Sequence, residues 1–149
     1  MTERPAPWLV EERWEWIVAG EADGADLAGF AVEVRTSVTV REQMDIIERS
    51  NAIQRYSVEW LSMEPADRAK AEEAHDTPLD REWALLAPLV RDWNARGLDG
   101  EGNAVDVPPP SVAGPDAFYA IPAPALRWVW GVVIVGYRSL GKADRSPGR

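Results

Sequence analysis

The chain has no cysteine, so disulfides and thiolate chemistry are excluded and a reducing compartment suits it. It has a single histidine, His75, so any histidine-pair metal site or Ser/His/Asp triad would have to be built around that one ring. His75 lies between Ala74 and Asp76 in a charged stretch and reads as a solvated imidazole. No apolar run reaches the roughly 20 residues needed to cross a bilayer. The most apolar stretch, Trp128 to Tyr137, is about half that length and reads as a core element. The amino terminus lacks the apolar segment of a signal peptide and carries acids early, so a cytoplasmic location and no membrane partner are expected. Positive charge is also scarce: Lys and Arg number 16 against 25 Asp and Glu, for a net charge of -9. A field of that sign repels phosphate and argues against nucleic acid as a partner. The imbalance is not uniform: in residues 138–149 Arg138, Lys142, Arg145 and Arg149 face Asp144 alone, a local +3 that reads as a solvated tail.

What is present fits one domain. A chain of 149 residues with 46% apolar content can close a single core, so residues 1–149 are read as one unit with flexible ends at about 1–10 and 141–149. Trp14–Val18 and the alternating Phe30–Arg35 read as two strands of an antiparallel hairpin, joined by the turn-rich Gly20–Asp26. Thr39 followed by Glu42 forms a capping-box signal for a helix. Val40, Met44 and Ile47 make one apolar stripe, and Ile53, Tyr56, Trp60 and Met63 another on nearly the opposite side, so a break is expected near Ser50-Asn51. Residues 52–62 are open between helix and strand, because Tyr56, Val58 and Trp60 also alternate. Glu64–Asp76 reads as a solvated helical linker.

Thr77-Pro78-Leu79-Asp80 repeats the helix-start signal, and Leu79, Trp83, Leu86, Val90 and Trp93 predict one amphipathic helix ending before Gly97, kinked at Pro88. Six prolines between Gly97 and Pro124 predict a loop without regular ladders. From about Pro124, Leu126, Val129, Val133, Tyr137 and Leu140 form the stripe of a mostly buried last helix. The fold class read from this pattern is α+β: an N-terminal β-hairpin packed on three or so α-helices, with a long Pro/Gly-rich loop before the last helix.

Chemical motifs are incomplete. Asp99, Glu101, Asn103 and Asp106 resemble the start of a calcium loop, but Ala104 stands where the turn glycine belongs and Pro110 where the closing glutamate should be. Gly97, Gly100 and Gly102 are interleaved with acids that would repel phosphate. Glu11-Glu12 and Glu72-Glu73 are sequence neighbours whose side chains point apart on a helix. No catalytic residue, metal or cofactor is expected. Eight tryptophans exceed ordinary usage several-fold, and a core of this size hides roughly five or six. Trp83, Trp93 and Trp60 fit apolar stripes, whereas Trp8, Trp14 and Trp16 are hard to bury together. These three, with Trp128 and Trp130 of the last apolar run, are the candidate protein-binding residues.

Val90-Arg91-Asp92-Trp93-Asn94 as a helix end, the acidic turn Asp99-Gly100-Glu101-Gly102, the run Pro108-Pro109-Pro110-Ser111 and Ile121-Pro122 leading into a helix occur in that order. With the preceding strand Phe30–Arg35 they resemble the phage tail assembly chaperones, the tail-morphogenesis proteins of long-tailed phages, over roughly residues 28–140. The longer Trp-rich lead and the more apolar last helix depart from that pattern. The resemblance implies a non-catalytic factor that binds the tape-measure protein, keeps it soluble while tail-tube subunits assemble, and often self-associates into a homo-oligomer. It also implies residence in the host cytoplasm, absence from the mature virion, and two lengths made by frameshifting, for which Leu140-Gly141-Lys142 is a compatible slip site. Competing readings are a structural neck or tail subunit of the virion and an acidic DNA-mimic inhibitor, although the acids here are mixed with arginine rather than set in rows.

Overall fold

The computed structural model describes residues 3–137. Leu140, the Leu140-Gly141-Lys142 stretch, the basic tail and the expected flexible end at about 141–149 lie outside the described residues. Alternation places the first two strands as expected: β1 (Trp14–Val18) pairs antiparallel with β2 (Ala31–Arg35), from Trp14 opposite Arg35 to Val18 opposite Ala31. Their connection reverses at Gly24 and Gly29, whose φ angles of 117° and 93° lie where side chains with a Cβ are strained. Val32 and Val34 turn into the core, while Glu33 and Arg35 face the other side of the sheet.

α1 (Val40–Ser62) starts at the Thr39 cap, where Glu42 N–H donates to the threonine hydroxyl at 3.2 Å and Thr39 N–H donates to the Glu42 carboxylate at 3.3 Å. It runs uninterrupted for 23 residues, so the break expected at Ser50-Asn51 does not occur and residues 52–62 are helix. The reason is that only one stripe faces the core. Ile46, Ser50 and Ile53 are buried, with Tyr56 and Trp60 half-buried beyond them, whereas Val40 and Met44 remain exposed. α2 (Pro65–Glu73) buries no residue, in keeping with a solvated linker.

The predicted long second helix is corrected by the structure. α3 (Pro78–Leu86) stops two residues before Pro88, which has no N–H to offer the Ala84 carbonyl and whose ring crowds that turn. Ala87–Leu89 makes one 3₁₀ turn, and the chain then enters β3 (Val90–Trp93). β3 joins β2 antiparallel, giving a three-stranded sheet in the order β1-β2-β3 with a bulge between Glu33 and Val34. Val90 and Trp93 are buried as the apolar spacing required, but as strand residues. Asn94 extends the ladder with its side chain, accepting from Ala31 N–H at 2.8 Å and donating to the Gly29 carbonyl at 2.9 Å.

The Pro/Gly-rich stretch also contains regular pairing that the sequence reading excluded. β4 (Arg96–Leu98) and β5 (Ala104–Asp106) form a small hairpin, which is possible because the prolines begin only at Pro108 and none interrupts the ladder. Its turn is held by the Asp99 carboxylate, which accepts the N–H groups of Glu101 and Asn103 at 2.8 and 2.9 Å. α4 (Pro110–Ala113) and the 3₁₀ segment Gly114–Ala120 then carry Phe118 into the core, and the Trp93 indole anchors the stretch by donating to the Val107 carbonyl at 2.8 Å. α5 (Ala123–Trp130) continues into a π-helical segment, Gly131–Val135, and buries Ala125, Val129, Val133, Ile134 and Tyr137.

The cap of α3 offers a direct test of these local rules. Asp80 N–H donates to the Thr77 hydroxyl at 3.1 Å, and both the N–H and the hydroxyl of Thr77 donate to the Asp80 carboxylate, at 2.9 and 2.7 Å. Thr77→Ala is expected to lower stability by about 1 kcal/mol, read from the urea midpoint, with Thr77→Ser restoring most of it.

Candidate protein-binding surface

The chain enters β1 through an anchored root. Ser37 accepts the Arg13 N–H at 2.7 Å and donates to the Glu11 carbonyl at 2.9 Å, while Thr36 N–H donates to the Arg13 carbonyl at 2.9 Å. These bonds extend the β1–β2 pairing by a few residues and stop there. Beyond the root, Trp8, Leu9 and Val10 are 85%, 69% and 77% exposed, a consecutive apolar run left in water.

This run, together with Val38 and Val40 from the entry to α1, lines a cleft of about 650 Å³. Glu11, Glu12, Glu15 and Glu42 supply its acidic lining, with Arg13 and Arg35 as the basic members. Arg35 reaches Glu42 at 2.7 Å and Glu12 at 3.9 Å. The Thr39 N–H, then the Thr39 hydroxyl and the Arg35 guanidinium, hold the Glu42 carboxyl below its ordinary range against the opposing effect of burial. Glu42 is therefore ionised at neutral pH.

The outer face of the sheet carries the other N-terminal tryptophans. Trp16 is 49% exposed on β1, one of the two outer strands of the sheet, and Trp14 shares its face two residues earlier. Trp14 is half-buried because the Arg91 guanidinium covers its ring, 4.6 Å from the centroid. Arg91 is held there by a two-pronged pairing with Glu33, both bonds 2.8 Å, which keeps the Glu33 carboxyl below its ordinary range.

The five candidate tryptophans thus fall into two groups. Trp8 lines the cleft, and Trp14 and Trp16 stand on the adjoining strand. Trp128 and Trp130 lie on α5, half-buried and packed against the core, with the Trp128 ring 5.6 Å edge-on from Phe30. The sequence reading did not single out Leu9, Val10 or the exposed Val18 and Val40. Leu9 and Val10 continue the apolar character of Trp8, and Val40 lies off the core-facing stripe of α1, the two signals that would have found them.

His75 is exposed at the end of α2 in a left-handed conformation, φ 53°. Among the described residues no group of three or more His, Asp or Glu stands close enough to hold a metal ion. None of their helices is long and apolar enough to cross a membrane. No family model, no curated protein and no solved structure matches this chain.

Proposed function

We propose that the chain is a non-catalytic protein-binding factor that serves as a tail assembly chaperone of a long-tailed phage, holding the tape-measure protein and helping to recruit tail-tube subunits. The observation that carries this reading is the exposed run Trp8-Leu9-Val10, set over a cleft beside the edge strand β1. An extended client segment can add its backbone to the free edge of β1 while its apolar side chains meet Trp8, Leu9 and Val10. The net charge of -9 keeps such a complex dispersed while the greasy surfaces are covered. The Asp99–Gly102 turn, the proline run and the Ile121-Pro122 helix start support the assignment to the tail-assembly class, whereas the Trp-Asn helix end of that pattern is the end of strand β3 here.

The test is co-expression with a tape-measure protein from the same genome. The client should move into the soluble fraction and co-purify with the chain, and purified virions should lack the chain by mass spectrometry. Replacing Trp8, Leu9 and Val10 together by serine should return the client to the pellet at an unchanged melting temperature, because all three are exposed in the free protein. A client equally soluble with and without the chain would end the proposal.

A further inference from the structure

A second groove lies on other elements. The C-terminal half of α1, the end of α2, the start of α3 and the 3₁₀ segment Gly114–Ala120 border an open groove of about 810 Å³. That volume is within the range of sites that bury several side chains or a small ligand. Trp60, Tyr119, Leu79 and Pro78 form its apolar surface, and Glu72, Asp80, Glu82 and Asp116 its carboxylates. His75 is the one residue lining it that can carry positive charge.

Two of these carboxylates differ in how they are held. Asp80 is engaged by Thr77 and accepts the Tyr119 hydroxyl at 2.5 Å, which fixes the Tyr119 ring at the groove wall. Glu82 is half-buried, and its carboxylate has neither a hydrogen bond nor an ion pair with any described residue. Burial alone raises its pKa, the signature of a charge without compensation. An incoming cation would supply what the fold leaves out.

The adjacent residues show how such a cation is held in this protein. The Arg81 guanidinium lies 3.6 Å over the Tyr56 ring and pairs with Asp76 through two bonds of 2.8 and 3.0 Å. A ring under the flat face and a carboxylate along the edge match the planar, five-donor guanidinium better than the point charge of lysine. Tyr56 in turn meets Trp60 edge-on at 6.0 Å, so the filled arrangement adjoins the open groove. The groove offers the same pairing of aromatic rings with carboxylates and contains no arginine of its own.

We propose that this groove docks an arginine-bearing segment of a partner protein, with the guanidinium against Trp60 or Tyr119, its charge met by Glu82 and Asp116, and its aliphatic stem along Leu79. The site is separate from the N-terminal cleft and stands whether or not that cleft holds a tape-measure protein.

The experiment is an NMR titration of the full chain with acetyl-Gly-Arg-Gly-Arg-Gly-amide, beside the same peptide with citrulline for arginine. The arginine peptide should shift amides of Ser57–Trp60, His75–Glu82 and Asp116–Tyr119, and the uncharged peptide should not. The paired shape-preserving variant Glu82→Gln, Asp116→Asn should bind about tenfold more weakly, a difference of about 1.4 kcal/mol, and raised salt should weaken the wild type further. Trp60→Leu, which keeps an apolar side chain but removes the ring, should also weaken binding while spectra elsewhere stay unchanged. Equal binding by the citrulline peptide, wild-type affinity in the paired variant, or shifts confined to Trp8–Glu15 would overturn the proposal. So would movement of the groove resonances on neutralising Arg138, Lys142, Arg145 and Arg149 in the peptide-free chain, which would make the chain's own tail the occupant. Concentration-dependent shifts of those resonances without peptide would assign the groove to a second copy and overturn it equally.

Discussion

Phe118→Ala is expected to cost about 3–5 kcal/mol. The ring is fully buried, stacked on Trp83 at a centroid distance of 5.3 Å and met edge-on by Trp93 at 5.7 Å. It is carried by a short 3₁₀ segment that has little stability of its own, so it ties the proline-rich stretch to both α3 and β3. Removing it leaves two indoles facing a void, and the loss of aromatic contact adds to the transfer free energy. Urea unfolding at neutral pH measures the effect. A loss below about 1.5 kcal/mol would mean that Trp83 and Trp93 close the gap and that Phe118 does not tie the proline-rich stretch to the core.

Leu86→Ala is expected to cost about 2–5 kcal/mol, whereas Leu79→Ala on the same helix should fall within about 0.5 kcal/mol of wild type. The contrast rests on burial alone: Leu86 is 0% exposed and Leu79 is 49% exposed. Leu86 ends α3 at the point where the chain passes through Ala87–Leu89 into β3, and Leu85, Leu89 and Val90 are buried around it. A cavity there loosens a helix end and a strand start together, so the surroundings have little freedom to collapse. Equal effects at the two leucines would contradict the assigned helix face.

Much of the fold could be read from local chemistry. Thr39 with Glu42 and Thr77 with Asp80 are helix starts that depend on residues three apart, and both caps form as read. The alternation of Phe30–Arg35 and the aromatic Trp14–Val18 likewise describe a hairpin whose partners are near in sequence. β3 was missed because Val90 and Trp93 satisfy helical spacing equally well, and only pairing with Val32 and Val34, far away in the chain, makes the segment a strand. The β4–β5 hairpin is hidden by the proline content of the stretch as a whole, although all of those prolines follow Val107 and leave the ladder free to form.

The candidate surface was legible to a similar depth. Trp8 and Trp16 could be marked as surplus to a core of this size, and both are exposed. Trp14 could not be separated from them, since its shielding comes from Arg91, a residue brought near only by the third strand. The cleft itself depends on Ser37 meeting Glu11 and Arg13, and nothing in the pattern of residues 3–13 announces that contact.

That contact at Ser37 fastens the chain just after the Trp8–Val10 run. A greasy arm fastened at its base has fewer arrangements open to it than one hanging from an unpaired strand. It therefore gives up little entropy when it closes on a guest, and the guest meets a short spring rather than a loose thread.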